Sequence, residues 1–480
     1  MWRNALILVL VGLLVVSTGG NVLLLRQTLD QQTTENRLRQ RAVAAENGQA
    51  SLQAQLDQLR SAAASGAQGT AGGAAAAAPP SAPLPGQGTA SGADPSALRQ
   101  IEGEVAGLRG LTPKKSVPLR FLSQDALQRY FVDNFNRDYL PNERESDQKL
   151  LSTLGLLNEG DSVVQILLDV LQEQVIGMYN EDDKAMYLVG EDTTFGPEEK
   201  ATFAHEYTHA LQDQYFGLRQ LSPKHPDNDD RALAIQALTE GDAVLIQRLW
   251  AQQMLSSDEQ NELGQSSSSG QSSVLFSAPL FLREQLLFPY TEGYNFVRQM
   301  YQAGGGYPGV DAVFLHPPDS TAQILHPDKY RNHVAPIEVT LPDLSLQLGS
   351  GWRTIRSSVM GELNLRLVLE QLTDQTRAVR GSSGWAGDRW QLLEKDGRQA
   401  LVLSTVWDSD NDARNFYDTF GLALRNRFAG ARQDAQTATR QALTAATGAS
   451  DLRRDGQKVV AVISFDRPSS DAIDAALGQP

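Results

Sequence analysis

Two histidines and a glutamate within Thr202-Phe203-Ala204-His205-Glu206-Tyr207-Thr208-His209-Ala210-Leu211-Gln212 restrict this chain more than any other feature. At about 100° per residue, helical His205 and His209 sit roughly 40° apart around the axis and one turn apart along it. Their imidazoles can then close on one small ion. Glu206 lies about 60° from His209, so its carboxylate faces the same space without having to bind. That set suits Zn²⁺ with an open position and a neighbouring carboxylate able to take a proton from water. Pro197, Glu198 and Glu199 supply a helix start: proline in the first turn, acids at the positive end of the dipole. Phe203, Ala204, Tyr207, Leu211 and Tyr215 recur at helical spacing behind it.

The rest of the chain limits what else can hold a metal. It has 480 residues, room for two or three domains, and no cysteine. Disulfides, thiolate ligands and a cysteine nucleophile are therefore excluded, and a transition metal must be held by His, Asp or Glu. A net charge of −15 argues against a nucleic-acid partner, because a phosphate backbone would be repelled.

Ala5 to Leu25 carry no charge and are long enough to span a bilayer as one helix, so residues 1–26 read as a single-pass transmembrane anchor. The Ser17–Gly20 patch leaves signal-peptide cleavage as a second reading. Arg3 and the free amine precede the span. Their charge favours a cytoplasmic N-terminus, with everything after residue 26 on the extracytoplasmic side of the cell membrane. In residues 27–60, Leu38, Ala45, Leu52 and Leu59 fall seven apart, the spacing of a coiled coil that would join chains into a homo-oligomer. A single solvated helix explains the same residues equally well. Residues 61–95 are Ala, Gly, Ser and Pro with almost no large apolar side chain, a disordered linker by composition.

Globular composition begins near Ser96. Helices are expected at Ser96–Leu108, from Ser123 to about Tyr139 and at Val163–Gln174, with a short strand at Val117–Leu122. Val175–Asn180 and Ala185–Val189 flank Glu181-Asp182-Asp183-Lys184 as a β-hairpin. Lying just before the metal helix, its edge strand could hold an extended peptide by backbone pairing. Asp230–Leu255 reads as a long, heavily apolar helix with Glu240 and Asp242 in its middle. A buried carboxylate is costly unless paired or bound to metal. Either acid could complete the two-histidine site, Asp242 being the alternative to Glu240. Ser256–Ser273 reads as a mobile loop, Val274–Leu287 as a helix with another beginning at Phe288, and Pro317–Tyr330 as irregular.

His205-Glu206-Tyr207-Thr208-His209 followed by Glu240-Gly241-Asp242-Ala243 on a later helix resembles the gluzincin group of zinc metallopeptidases, of which thermolysin is the familiar member. The resemblance implies zinc on His205, His209 and Glu240, with Glu206 as catalytic base hydrolysing peptide or protein substrates. In that group an acid four residues after the third ligand orients a ligand histidine. This chain has Val244 there, and its nearest acid is Asp242, two residues on. A downstream His and Tyr stabilise the oxyanion in that group. The candidates here are His326, His316, Tyr290 and Tyr294, with His326 and Tyr290 preferred. The Ser320–Pro327 segment is also similar to segments of uncharacterised bacterial proteins that carry His-Glu-x-x-His.

The expected architecture is α+β: a zincin-like, mainly helical catalytic domain with a β-hairpin edge at residues 96–335, then a small α+β domain at 336–480. In the latter, Pro336–Leu341 reads as a strand and Met360–Thr373 as a helix. Asp388–Leu393 and Gln399–Val406 pair as a hairpin, followed by a helix at Asp408–Phe428, a strand at Val459–Phe465 and a helix at Pro468–Leu477. The function expected is a membrane-anchored zinc peptidase. A zinc-holding scaffold without turnover and a zinc hydrolase of a non-peptide amide are its rivals.

Overall fold

The structure, a computed structural model, describes residues 95–173, 177–189, 195–223, 227–269 and 273–478. The anchor, the heptad segment and all but the end of the linker lie outside these residues. No helix among the described residues is long and apolar enough to cross a membrane. In chain order the first elements are α1 (Pro95–Arg109), β1 (Leu119–Leu122), α2 (Gln124–Asp138), α3 (Pro141–Leu154), α4 (Val163–Glu173), β2 (Gly177–Asn180), β3 (Ala185–Val189), α5 (Pro197–Phe216) and α6 (Leu218–Leu221). Next come α7 (Asp229–Met254), α8 (Ser257–Ser269), α9 (Ser273–Ser277), α10 (Leu280–Ala303), α11 (Tyr307–Leu315), α12 (Thr321–Leu325), α13 (Pro327–Arg331) and α14 (Leu344–Leu348). The remainder is β4 (Trp352–Ser358), α15 (Gly361–Leu372), α16 (Gln375–Ser382), β5 (Trp385–Lys395), β6 (Arg398–Trp407), α17 (Asp410–Arg427), β7 (Arg432–Gln436), β8 (Arg440–Ala445), β9 (Gly448–Asp455), β10 (Lys458–Ser464) and α18 (Arg467–Leu477). The fold is α+β, as expected.

α5 starts where the sequence places it. The Gly196 N–H donates to the Glu199 side chain at 3.0 Å, Pro197 occupies the first turn, and Gly217 closes the helix in the left-handed region at φ 68°. The helix is sunk in the body: every residue from Ala201 to Asp213 is buried. A helix covered all round needs no amphipathic stripe, which is why its motif residues can sit away from water. Burying side chains such as Phe203 and Leu211 stabilises it by about 1.5–3 kcal/mol each.

α7 lies against α5, and α10 lies against α7 at a glycine crossing. A Cβ on Gly241 would stand 2.3 Å from the backbone of Gly293, and one on Gly293 would stand 2.2 Å from the Ala237 carbonyl oxygen. The two backbones touch because neither residue has a side chain. That contact matters for the site, since Gly241 follows Glu240 and Gly293 lies one turn after Tyr290. α10 also runs unbroken through Pro289, where the sequence suggested a new helix at Phe288. Packing along α7 outweighs the one hydrogen bond that proline cannot make. Gly293→Ala should therefore force the helices apart and cost about 3 kcal/mol, the upper end of an overpacking penalty, read as a fall in thermal stability.

Three expectations are corrected here. Ser256–Ser273 is not a loop: α8 fills most of it, started by Ser256 and Glu259 bonding each other's backbone N–H and docked on α5 by a Lys200–Glu259 ion pair at 2.7 Å. Pro317–Tyr330 forms the short helices α12 and α13. Pro336–Leu341 is not a strand. Only Ile337 among its backbone amides bonds toward the sheet, to the Ala386 carbonyl at 2.7 Å, and the prolines at 336 and 342 can donate nothing.

Two sheets organise the strands. The smaller has the order β1-β3-β2, with β1 parallel and β2 antiparallel to β3, so β2 is an edge strand beside α5. The larger is antiparallel in the order β4-β5-β6-β10-β9-β8-β7. The hairpin between β5 and β6 turns on Asp396 and Gly397, both at positive φ (50° and 73°), as a two-residue primed turn demands. Its faces alternate with period two: Leu401 and Leu403 join the main core, while Ala400 and Val402 pack under α14 and α18. The main core runs from Leu98 to Ile463 without a break at residue 335, so the sheet's inner face and α5 share one interior.

Candidate metal centre

α5 and α7 bring three donor atoms together. His205 Nε2 and His209 Nε2 are 3.1 Å apart, and Glu240 Oε2 lies 3.2 Å from the first and 3.4 Å from the second. Ligands 2.0–2.1 Å from a tetrahedral zinc stand about 3.3–3.4 Å from each other, so the trio has the size of one face of such a site. Among the described residues it is the group of His and acidic side chains spaced to hold a metal. All three are at most 2 % exposed.

Each imidazole is turned by a carboxamide. His209 Nδ1 is 2.9 Å from Gln212 Oε1, and His205 Nδ1 is 3.2 Å from Gln247 Oε1. An acceptor at Nδ1 puts the ring proton there and leaves Nε2 facing the other donors. Neither glutamine was named from the sequence, though helix geometry carried a signal. Gln212 is one turn after His209, and Gln247 is two turns after Glu240 on the same face.

Asp242 is not one of the donors and touches neither histidine. Its Oδ2 accepts from Gln212 Nε2 at 2.9 Å and from Arg109 Nε at 2.9 Å. Two positions after Glu240 on a helix it points some 200° away from the side that carries Glu240. Asp242 thus points to another face, as its position in the sequence implies, and reaches His209 only through Gln212.

Glu206 lies on the same arc of α5, about 60° from His209. Its Oε2 accepts the Tyr179 backbone N–H at 2.7 Å, and its Oε1 is buried without a hydrogen-bond partner. Tyr179 is itself tied to α5, its hydroxyl donating to Asp213 Oδ2 at 2.7 Å. The hairpin therefore holds Glu206. As a ledge for a peptide it is covered, since all four residues of β2 are buried and the outward N–H of Tyr179 is taken.

Burial dominates the electrostatics. It pushes the Glu206 carboxyl up to about 8, against the pull of His209 and the Tyr179 N–H. It holds His205 below its ordinary value. For His209 burial acts the same way, but the Glu240 carboxylate outweighs it and raises the imidazole. Burial alone would raise Glu240, yet His209 and His205 hold it below the usual carboxylate range.

The two preferred oxyanion donors part company. Tyr290 is buried with its ring 6.4 Å from that of His205. Burial, then the charges of Glu240 and Glu206 and a hydrogen bond with Glu240, keep its phenol protonated far above its ordinary value. Tyr294, one turn on, packs instead beneath the Arg248 guanidinium, 4.1 Å from the ring centroid. His326 is elsewhere: its Nε2 lies 2.7 Å from Glu362 Oε1, at the junction of α12 and α13 with α15. The pairing is a local one, because buried Glu362 needs a cation near it. His316 caps α11, and its carbonyl accepts the Tyr330 hydroxyl.

His326→Ala should thus leave zinc affinity within twofold of the wild type. Glu362 raises His326 above its ordinary value. The pair's contribution is then complete below about pH 6.5 and lost as pH rises through the folded value. Chemical denaturation should find the variant less stable by about 1–2 kcal/mol at pH 6, with the gap closing toward pH 9.

Residues 350–476, from β4 into α18, match a family described as Domain of unknown function (DUF8575). No curated protein matches the chain, and no solved structure matches it either.

Proposed function

We propose that this protein is a zinc-dependent metallopeptidase of the gluzincin type, tethered by its N-terminal segment with its catalytic part on the extracytoplasmic side of the cell membrane. The observation that carries the reading is the trio of Nε2, Nε2 and Oε2 atoms at 3.1–3.4 Å with an unpaired carboxylate oxygen of Glu206 beside it. His205, His209 and Glu240 would hold the ion. A zinc ion there would polarise both a scissile carbonyl and a water molecule. Glu206 would take the proton from the attacking water at its free Oε1 and deliver it to the leaving amine. An environment that favours its protonated form suits the second half of that task. Tyr290, kept protonated, would donate its phenolic hydrogen to the developing oxyanion. Tyr179 keeps Glu206 aimed throughout.

One observation favours a second reading. His205, Glu206, His209 and Glu240 are all at most 2 % exposed, so substrate entry requires the surrounding residues to part. A small non-peptide amide would enter such a site with less displacement than an extended peptide. The test is to measure bound zinc and hydrolysis by the full-length chain against a peptide library and a panel of small amides, before and after chelation. Chelator-sensitive cleavage of peptides supports the main reading, and cleavage of amides alone supports the second. Zinc binding with no hydrolysis of either leaves a scaffold and overturns both.

A further inference from the structure

We infer that Asp242, fixed by Arg109, is a positioning residue for the metal centre: with the Thr239 carbonyl it holds the carboxamide of Gln212 in the orientation that leaves Nε2 of His209 free to bind an ion. The inference rests on the zinc reading above. It follows from what each atom in the chain can donate or accept.

Gln212 Nε2 faces the Thr239 carbonyl oxygen at 3.0 Å and Asp242 Oδ2 at 2.9 Å. Both partners only accept, so the end of Gln212 that meets them must be its NH₂ group. The other end, Oε1, then faces His209 Nδ1 at 2.9 Å. An acceptor there selects the tautomer with the proton on Nδ1 and the lone pair on Nε2, the atom in the donor trio. With the amide reversed, a donor would oppose Nδ1, the proton would move to Nε2, and the site would lose a ligand.

Asp242 needs its own anchor to perform this. Arg109 Nε donates to the same Oδ2 at 2.9 Å. The guanidinium is wholly buried, 4.5 Å from the ring centroid of Tyr307 and flanked by Phe314 at 5.9 Å and Phe216 at 6.0 Å. Its Nη1 also lies 2.7 Å from Asp311. Arg109 is the last residue of α1, where the helix dipole favours a cation. Arg109, Asp242, Gln212 and His209 thus form one buried line from the end of α1 to the ion's position, in surroundings that strengthen each bond.

Zinc affinity of the full-length chain, read by competition with a chromophoric chelator, tests this in a cycle of variants. Gln212→Met removes the acceptor and should weaken binding about 10–100-fold. Arg109→Met with Asp242→Leu replaces the ion pair by apolar side chains and should weaken it in the same direction. All three changes together should bind no more weakly than Gln212→Met alone, because the pair acts only through the amide. Asp242→Asn keeps the volume and the shared oxygen but loses the charge, and should cost about fivefold. A merely structural ion pair predicts otherwise: zinc bound as in the wild type by the Arg109/Asp242 variant or by Asp242→Asn, or losses that multiply in the triple variant. Any of those results overturns the inference while the metal reading stands. The Asp242→Asn arm decides even where the apolar pair does not fold. A wild type that takes up no zinc overturns the metal reading and this inference together.

Discussion

Glu240→Ala should lower the zinc affinity of the full-length chain by about 10³-fold, while Asp242→Asn loses only about fivefold. Structural zinc sites bind with roughly 10–16 kcal/mol, and one of three protein ligands carries on the order of a third of that. Glu240 is the single anionic donor of the trio, so its removal also takes away the Coulomb attraction for a dication. The two variants separate the rival assignments left open by the sequence, since Glu240 and Asp242 lie two positions apart on one buried helix. Glu240 Oε2 stands 3.2 and 3.4 Å from the two Nε2 atoms, whereas Asp242 Oδ2 is engaged by Gln212 and Arg109 on the other side of the turn. Chelator competition would reverse the assignment if Glu240→Ala kept wild-type affinity and Asp242→Asn lost zinc altogether. Loss of zinc on both, with the fold intact by circular dichroism, would mean that both acids reach the ion in solution.

What the sequence made legible was whatever has a fixed local geometry. The spacing of His205, Glu206 and His209 needs only a helix, and Pro197 with Glu198 and Glu199 says that one starts there; α5 begins at Pro197. The hairpin was readable because two apolar runs flank a four-residue polar turn, and β2 and β3 flank that turn. The long apolar run after residue 229 marked a buried helix, and that made its central acids conspicuous. Partners that depend on tertiary approach were not legible. Gln212 carried only the weak mark of lying one turn after His209, and Gln247 meets His205 only when α5 and α7 are laid together. His326 was a candidate because the gluzincin resemblance calls for a downstream histidine, yet its Nε2 lies 2.7 Å from Glu362 Oε1 across the α13–α15 junction. Two helix starts were readable and passed over: Ser256 with Glu259, and Pro141 with Glu143, whose side chain accepts the Leu140 N–H at 3.2 Å. Strands β7 to β9 left no such mark. Their sequences are short and rich in Arg, Asp, Gln and Ala, and they become strands by pairing outward from β10 rather than by propensity.

Glu206→Gln should reduce turnover by about 10³-fold or more with zinc affinity within a few-fold of the wild type. General base catalysis contributes about 10²–10⁴ in rate, and a carboxamide cannot accept the proton. It is still the right replacement, because its oxygen can accept the Tyr179 N–H now bound at 2.7 Å, so β2 keeps its place beside α5. Glu206 is not one of the three donor atoms, which is why metal binding should survive. The same variant carries a second, independent readout in the metal-free protein. Burial raises the Glu206 carboxyl from its ordinary 4.5 to about 8 in the folded chain. Folding is then favoured by this group most fully below pH 4.5, where both states are protonated. The advantage falls as pH rises toward 8, because the unfolded chain can ionise and the buried carboxyl resists. At about 1.4 kcal/mol per unit the loss approaches about 5 kcal/mol for a fully buried group, and the Glu206→Gln variant suffers none of it. Denaturant unfolding of the metal-free proteins should therefore show wild type losing stability relative to the variant between pH 5 and pH 8. A constant difference across that range would mean that Glu206 is ionised in the folded state. Full turnover in the variant would remove it as the base whatever the titration shows.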